Sequence, residues 1–248
     1  MTNLAGKTAL VTGASRGLGR AAARALASAG AQVLVHYNSG ASEAEAVVAD
    51  IRAAGGRADR VMADLSAPDG AHVLAGQVRN IVGARLDVLV ANAGVSKAAS
   101  IEDTTVQDFD RLFATNVRAP FFLVQQLLPI MCRGSSVVLL SSLAAHAAVG
   151  TLPAYSATKG AIDTLVKHFA AALGPRGIRV NAIAPGVIDT DMSSFAKTDD
   201  GRKYVLGMQA LQRIGEPDDI GPVIVFLASE GARWITGDTV RVDGGSKL

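Results

Sequence analysis

The chain has 248 residues, a net charge of +2 spread over interspersed charges, and 49% hydrophobic residues. This balance excludes a disordered polypeptide and the clustered basic face of a nucleic-acid binder. A single cysteine, Cys132, excludes an internal disulfide framework and suits a reducing compartment.

Met1 to Gly6 carries no targeting pattern, and the apolar runs are too short or too interrupted to span a bilayer. No nucleic-acid or membrane partner and no metal site are expected. A cytoplasmic location follows as an expectation. The terminal Ser246-Lys247-Leu248 is the peroxisomal address in a eukaryote and has no such meaning in a bacterium.

Lys7 to Thr12 is a short apolar run and predicts a buried strand. A Gly-rich turn follows, then an Ala- and Leu-rich helix over Leu18 to Ser28, stopped by Gly30. Gln32 to His36 predicts a second strand, Glu43 to Ala54 a helix, Ala58 to Ala63 a weaker strand, and Asp69 to Val82 a third helix. Leu86 to Ala91 is a fourth strand, followed by one long helical region from about Val106 to Met131. Ser136 to Ser141, Ile178 to Ala184 and Thr239 to Val242 predict further strands. Ala154 to Leu173 and Asp218 to Ala228 predict helices. Strands alternating with helices, with no linker between them, imply one α/β domain over 1–248. Its fold is a doubly wound, mainly parallel Rossmann-type sheet of about seven strands, with helices on both faces.

The turn Thr12-Gly13-Ala14-Ser15-Arg16-Gly17-Leu18-Gly19 joins the first strand to the first helix. Glycines there let the backbone approach a pyrophosphate, and the helix start offers free N–H groups to the anion. Between a first strand and a first helix, this is a dinucleotide-binding signal. An NAD site wants a carboxylate at the end of the second strand. Here the stretch reads His36-Tyr37-Asn38-Ser39, and the next acid is Glu43. Arg16 can match the charge of a 2′-phosphate, so the expected cofactor is NADP(H), with Tyr37 and Asn38 beside its ribose.

Tyr155 and Lys159 stand at i and i+4 near the start of a predicted helix, on one face. A nearby ammonium favours the phenolate, so Lys159 is expected to lower the Tyr155 pKa from about 10. Such a phenol trades protons with an alkoxide while hydride moves at the adjacent carbon. Ser142 lies 13 residues earlier, at the carboxyl end of the fifth strand, where doubly wound sheets bind ligands. Ser141 points to the opposite side by strand alternation. Asn92-Ala93-Gly94 follows the fourth strand, in place for a turn under the cofactor. Asn116 is an unfavourable interior residue of the long helix, which invites a functional reason.

Taken in order, these motifs resemble a short-chain dehydrogenase/reductase of the single-domain type, similar to the 3-oxoacyl-[acyl-carrier-protein] reductases. The matching pieces are the Thr12–Gly19 turn, Asp64-Leu65, Asn92-Ala93-Gly94, Asn116, Ser142, Tyr155-x-x-x-Lys159, Pro185-Gly186 and Asp243-Gly244-Gly245. The resemblance implies that Tyr155 is the general acid, that Lys159 lowers its pKa and binds the nicotinamide ribose, and that Ser142 polarises the carbonyl. It implies that Asn116 holds a water linking Lys159 to solvent and that Asp64 contacts the adenine. Past Pro185-Gly186, Ile188 and Thr190 would hold the nicotinamide and phosphate side. The family turn reads Asn-Asn-Ala-Gly, and here its first position is Ala91.

The expected substrate is a small carbonyl or alcohol compound, an acyl thioester among the options. Arg133, Lys167, His168, Arg176 and Arg179 are basic groups available to an acidic carrier. Residues 191–215 are expected to fold over the substrate as a lid. Pro120 to Met131 is apolar on more than one face and resembles the family's helix-pairing interface, so a homotetramer is expected. Two rival readings are an NAD(P)-dependent alcohol, polyol or sugar dehydrogenase and a non-catalytic dinucleotide-sensing protein.

Overall fold

The computed structural model describes residues 3–247, so Leu248 of the C-terminal tripeptide lies outside the described residues. Seven strands form one sheet: β1 (Thr8–Val11), β2 (Gln32–Tyr37), β3 (Arg57–Met62), β4 (Val88–Ala91), β5 (Ser136–Leu140), β6 (Arg179–Pro185) and β7 (Thr239–Val242). Their order is β3-β2-β1-β4-β5-β6-β7 and every pairing is parallel. The strand sequence reverses direction between β1 and β4. Crevices at such a switch point, outside the carboxyl ends of the strands, are where doubly wound sheets hold ligands.

Strand alternation splits the core into two layers. Ala9 and Val11 of β1, Val33 and Val35 of β2, and Val138 of β5 pack with helices α1 (Gly17–Ser28), α2 (Ala41–Ala53) and α8 (Pro217–Ala228). Leu10, Leu34, Val137 and Leu139 point the other way, onto α3 (Gly70–Val82), α5 (Ala119–Leu127) and α6 (Pro153–Leu173). Burial on both faces explains why these strands read as continuous apolar runs rather than as polar-apolar alternation.

The region Val106–Met131 is not one helix. It divides into α4 (Val106–Phe113), a π-helical turn over Ala114–Arg118, α5, and a 3₁₀ turn over Leu128–Ile130. Thr105 caps α4 by accepting the Asp108 N–H. The π turn carries Asn116, and the Ala119 N–H reaches back five residues to the Ala114 carbonyl. Residues 191–215 hold a 3₁₀ segment over Asp191–Lys197 and a short α7 (Asp199–Leu206), started by the Thr198 hydroxyl accepting the Gly201 N–H. A parallel bridge between Ile188 and Gly215 ties the two ends of this excursion together.

Candidate active site

The glycine turn is built from three neighbouring strands. Gly17 has φ +53°, a backbone that favours glycine, and a Cβ on Gly19 would collide with the Gly13 carbonyl. Asn92, just past β4, donates from Nδ2 to the Thr12 carbonyl at 2.8 Å and to the Gly13 carbonyl at 3.2 Å. The Ala93 N–H donates to Thr12 Oγ1 at 2.9 Å. Asn92 and Ala93 therefore brace the turn, and the Asn92 amide is spent on its backbone. No side chain caps the start of α1 and no acid occupies its first turn. The first N–H groups of a helix lack intrahelical acceptors, so the Ser15–Gly19 stretch suits an anion such as a pyrophosphate.

Around this turn, the residues singled out from sequence fall into two groups. Thr190 lies against Gly17, and Gly94 lies beside the Lys159 ammonium and the Asn116 amide oxygen. Gly186, after Pro185 at the end of β6, donates its N–H to Val242. Ile188 buries its side chain in the core and its carbonyl accepts the Ser193 hydroxyl at 2.7 Å.

The adenine end is less direct. Asp64 Oδ1 accepts the Ser66 hydroxyl and N–H, which hold this exposed carboxyl below its ordinary range. Asn38 donates to the same oxygen at 3.4 Å, and Leu65 is buried. Tyr37 is also buried, with its hydroxyl accepting Arg60 at 2.8 Å, so its ring packs rather than reaching outward. Arg16 stands 3.6 Å from Asp191, with both side chains 74% exposed. This weak surface pair leaves the guanidinium free to turn to a phosphate.

At the end of β5, alternation separates two adjacent serines. Ser141 is buried and its hydroxyl donates to the Lys159 carbonyl at 3.4 Å. Ser142 turns outward, and its hydroxyl interacts with the Tyr155 phenol and accepts the Ala144 N–H. Lys159, 5% exposed, donates to the Leu140 carbonyl at 2.8 Å, and its Nζ lies 5.5 Å from the Tyr155 ring centre. Burial lowers Lys159 to about 8, and the nearby Asp163 carboxylate opposes the shift. Burial raises Tyr155 above its ordinary value, with Ser142 pulling back. In the free protein, loss of water at the phenol works against the lowering expected from the Lys159 ammonium.

Asn116 is buried, and both its amide oxygen and its amide nitrogen are bonded. Oδ1 accepts the Val95 N–H at 2.9 Å, while Nδ2 donates to the Val95 carbonyl at 2.9 Å and to Thr158 Oγ1 at 3.1 Å. Thr158 in turn donates to the Tyr155 carbonyl at 2.6 Å. The π turn thereby fastens the segment after β4 to the helix of Tyr155 and Lys159. Sequence reasoning missed three supports: Thr158, Asp163 and the buried His36. An apolar run interrupted by one histidine was the only signal for the last.

The family model described as enoyl-(acyl carrier protein) reductase matches residues 13–247. The chain belongs to the short-chain dehydrogenases/reductases. Among its relatives in this family, versicolorin reductase from Emericella nidulans is 38% identical, over 98% of this chain and 96% of the relative. Trihydroxynaphthalene reductase from Colletotrichum orbiculare is 37% identical, over 98% of this chain and 90% of the relative. The crystal structure of the angucycline C-6 ketoreductase LanV with bound NADP superposes with a TM-score of 0.94 at 42% identity, covering 99% of this chain and 97% of LanV.

Proposed function

We propose that this protein is an NADPH-dependent ketoreductase in which the whole chain acts as one dinucleotide-binding and catalytic unit. The observation that carries the reading is the gathering of Ser142, Tyr155 and Lys159 at the carboxyl end of β5, with the Asn92-Ala93-Gly94 turn running from the glycine turn to Lys159. NADPH, when bound, supplies the hydride that adds to the carbonyl carbon. The Ser142 hydroxyl donates to the carbonyl oxygen and polarises it. Tyr155, protonated near neutrality as a phenol, gives that oxygen its proton as negative charge develops. Lys159 holds the next proton close behind the ring. Both Asn116 amide hydrogens are spent on Val95 and Thr158, so the backbone of the π turn is the place for a water serving Lys159.

NADPH is favoured over NADH by the missing carboxylate at the end of β2 and by the exposed Arg16. The names of the relatives favour a fused-ring aromatic ketone as substrate. The exposed Met192, Phe195, Tyr204 and Leu211 of the 191–215 segment offer apolar surface for it. A 3-oxoacyl thioester is the second reading, favoured by the description of the family model. Exposed Phe109, Phe121 and Trp234 support a homotetramer, and light scattering in solution measures it. A cytoplasmic setting suits the lone, unpaired Cys132.

The test is consumption of NADPH and of NADH against fused-ring ketones, 3-oxoacyl thioesters and sugars. Turnover of a ketone with the higher kcat/KM for NADPH is expected. A preference for NADH overturns the cofactor assignment, and absence of turnover on every carbonyl favours a sensing protein.

A further inference from the structure

His36 is a buried titratable group that the proposed chemistry does not use. It sits near the end of β2 and is 1% exposed, in a strand whose other interior positions are apolar. Burying an imidazole is costly unless both ring nitrogens find partners. Here both do. Nδ1 is 3.0 Å from the Gly13 nitrogen, and Nε2 is 3.1 Å from the Ala63 carbonyl oxygen. A backbone N–H can only donate and a carbonyl can only accept. Nδ1 must therefore accept from Gly13, while Nε2 carries the hydrogen and donates to Ala63. The pair of bonds requires the neutral ring in one tautomer.

The same residue holds the turn a second time, because its carbonyl accepts the Ala14 N–H at 2.8 Å. On the opposite side, the Gly13 carbonyl accepts Asn92 Nδ2. The Gly13 peptide is thus clamped from β2 through His36 and from β4 through Asn92. Ala63, the far anchor of the ring, follows β3 and donates its own N–H to the Tyr37 carbonyl. His36 is the only side chain among these contacts to join the turn to the β3 edge of the sheet. The N–H groups meant for the pyrophosphate begin two residues beyond this clamp.

We propose that His36 is a positioning residue for the dinucleotide: its neutral ring, bridging the Gly13 N–H to the Ala63 carbonyl, presets the glycine turn and so sets the affinity for the pyrophosphate. This rests on the ketoreductase reading, since it needs a dinucleotide in that turn. Histidine does here what an apolar residue cannot, which is accept the Gly13 N–H in a place closed to water. The role is separable from catalysis because His36 touches neither Ser142, Tyr155 nor Lys159.

The experiment compares wild type with His36→Leu, His36→Asn and His36→Gln. The Kd for NADPH is read by nicotinamide fluorescence, and kcat is read at saturating cofactor. Long-range ¹H–¹⁵N NMR of the free protein reads the tautomer of the ring. Asn places Oδ1 where Nδ1 stood and can still accept from Gly13. Gln extends its amide toward the Nε2 position and leaves Gly13 unpaired.

We expect the Nε2–H tautomer, about a tenfold rise in Kd for His36→Leu with kcat within about twofold of wild type, and recovery of most of that affinity in His36→Asn. If His36→Leu does not fold, the Asn and Gln variants decide, with Gln expected to bind NADPH more weakly than Asn. Wild-type affinity in His36→Leu, or no advantage of Asn over Gln, or an Nδ1–H tautomer, overturns the proposal while NADPH binding by wild type keeps the ketoreductase reading. Wild-type protein that binds no dinucleotide overturns both.

Discussion

At the scale of single residues, the site divides proton chemistry between the half-buried Tyr155 and the buried Lys159, whose shifts have one main cause. Loss of water penalises the charged form of each, so Tyr155 is pushed up and Lys159 is pushed down to about 8. A phenol is protonated near neutrality and so can give a proton, which is the direction of ketone reduction. Replacing Tyr155 with Phe keeps the ring and removes the proton. Tyr155→Phe is expected to bind NADPH with near-normal Kd and to lose about 10²–10⁴-fold in kcat. A variant with near-normal kcat would refute the role of Tyr155. Lys159 gives a second handle, because its ammonium is present below about pH 8 and is lost as the pH rises through that value. The kcat/KM for NADPH reports the free enzyme, so it should fall on the alkaline side with a limb near 8. Asp163, one helical turn beyond Lys159, is the group that opposes the downward shift. Asp163→Asn removes that charge while its amide oxygen still accepts Thr239 Oγ1. The alkaline limb should move to lower pH with the plateau rate little changed, and a limb that stays in place would contradict the coupling.

At the scale of elements, spacing and strand order explain why Tyr155, Lys159 and Ser142 were readable from the sequence. Two of them share one face of α6 and the third ends a strand, and both facts are local. The π turn was not readable, because it depends on a distant partner. Periodicity over Val106–Met131 is continuous, yet the helix widens where Asn116 turns inward to bond Val95 and Thr158. The poor helix propensity of Asn was the only local trace of it. His36 and Asp163 escaped for a similar reason: their partners lie 27 and 76 residues away, at Ala63 and Thr239. The 191–215 segment is the element whose behaviour bears most on the substrate. Its 3₁₀ segment and short α7 expose Met192, Phe195 and Tyr204, and the segment is anchored at its ends by the Ile188–Gly215 bridge. Apolar surface exposed beside a cleft is removed from water when a substrate fills it. Amide exchange across 191–215 should slow when NADPH and a ketone analogue are both present, relative to the free protein. Unchanged protection in that segment would mean that it does not close over the substrate.

At the scale of the whole molecule, a sheet covered on both faces leaves little room for a group that must change charge, and His36 lies inside it. Burial holds its pKa at about 4, against 6.5 for the exposed ring, with the bond to Ala63 offsetting part of the shift. The unfolded chain therefore binds a proton on this residue between pH 6.5 and 4 that the folded chain does not. The sign follows from linkage: stability from the neutral ring is complete above 6.5, declines as the pH falls toward 4, and changes no further below that. The shift is worth about 3 kcal/mol across the window. The lowered carboxylates Asp64, Asp87 and Asp219 start from 3.8, so their stabilising contributions are lost mainly below this window. Urea unfolding of wild type at a series of pH values should show the decline between 6.5 and 4, and His36→Asn should flatten it. Because the same ring clamps Gly13, affinity for NADPH should weaken toward the acid end of that window in wild type and not in His36→Asn. Parallel loss of affinity in the two proteins would separate the acid effect from this residue and assign it elsewhere in the fold.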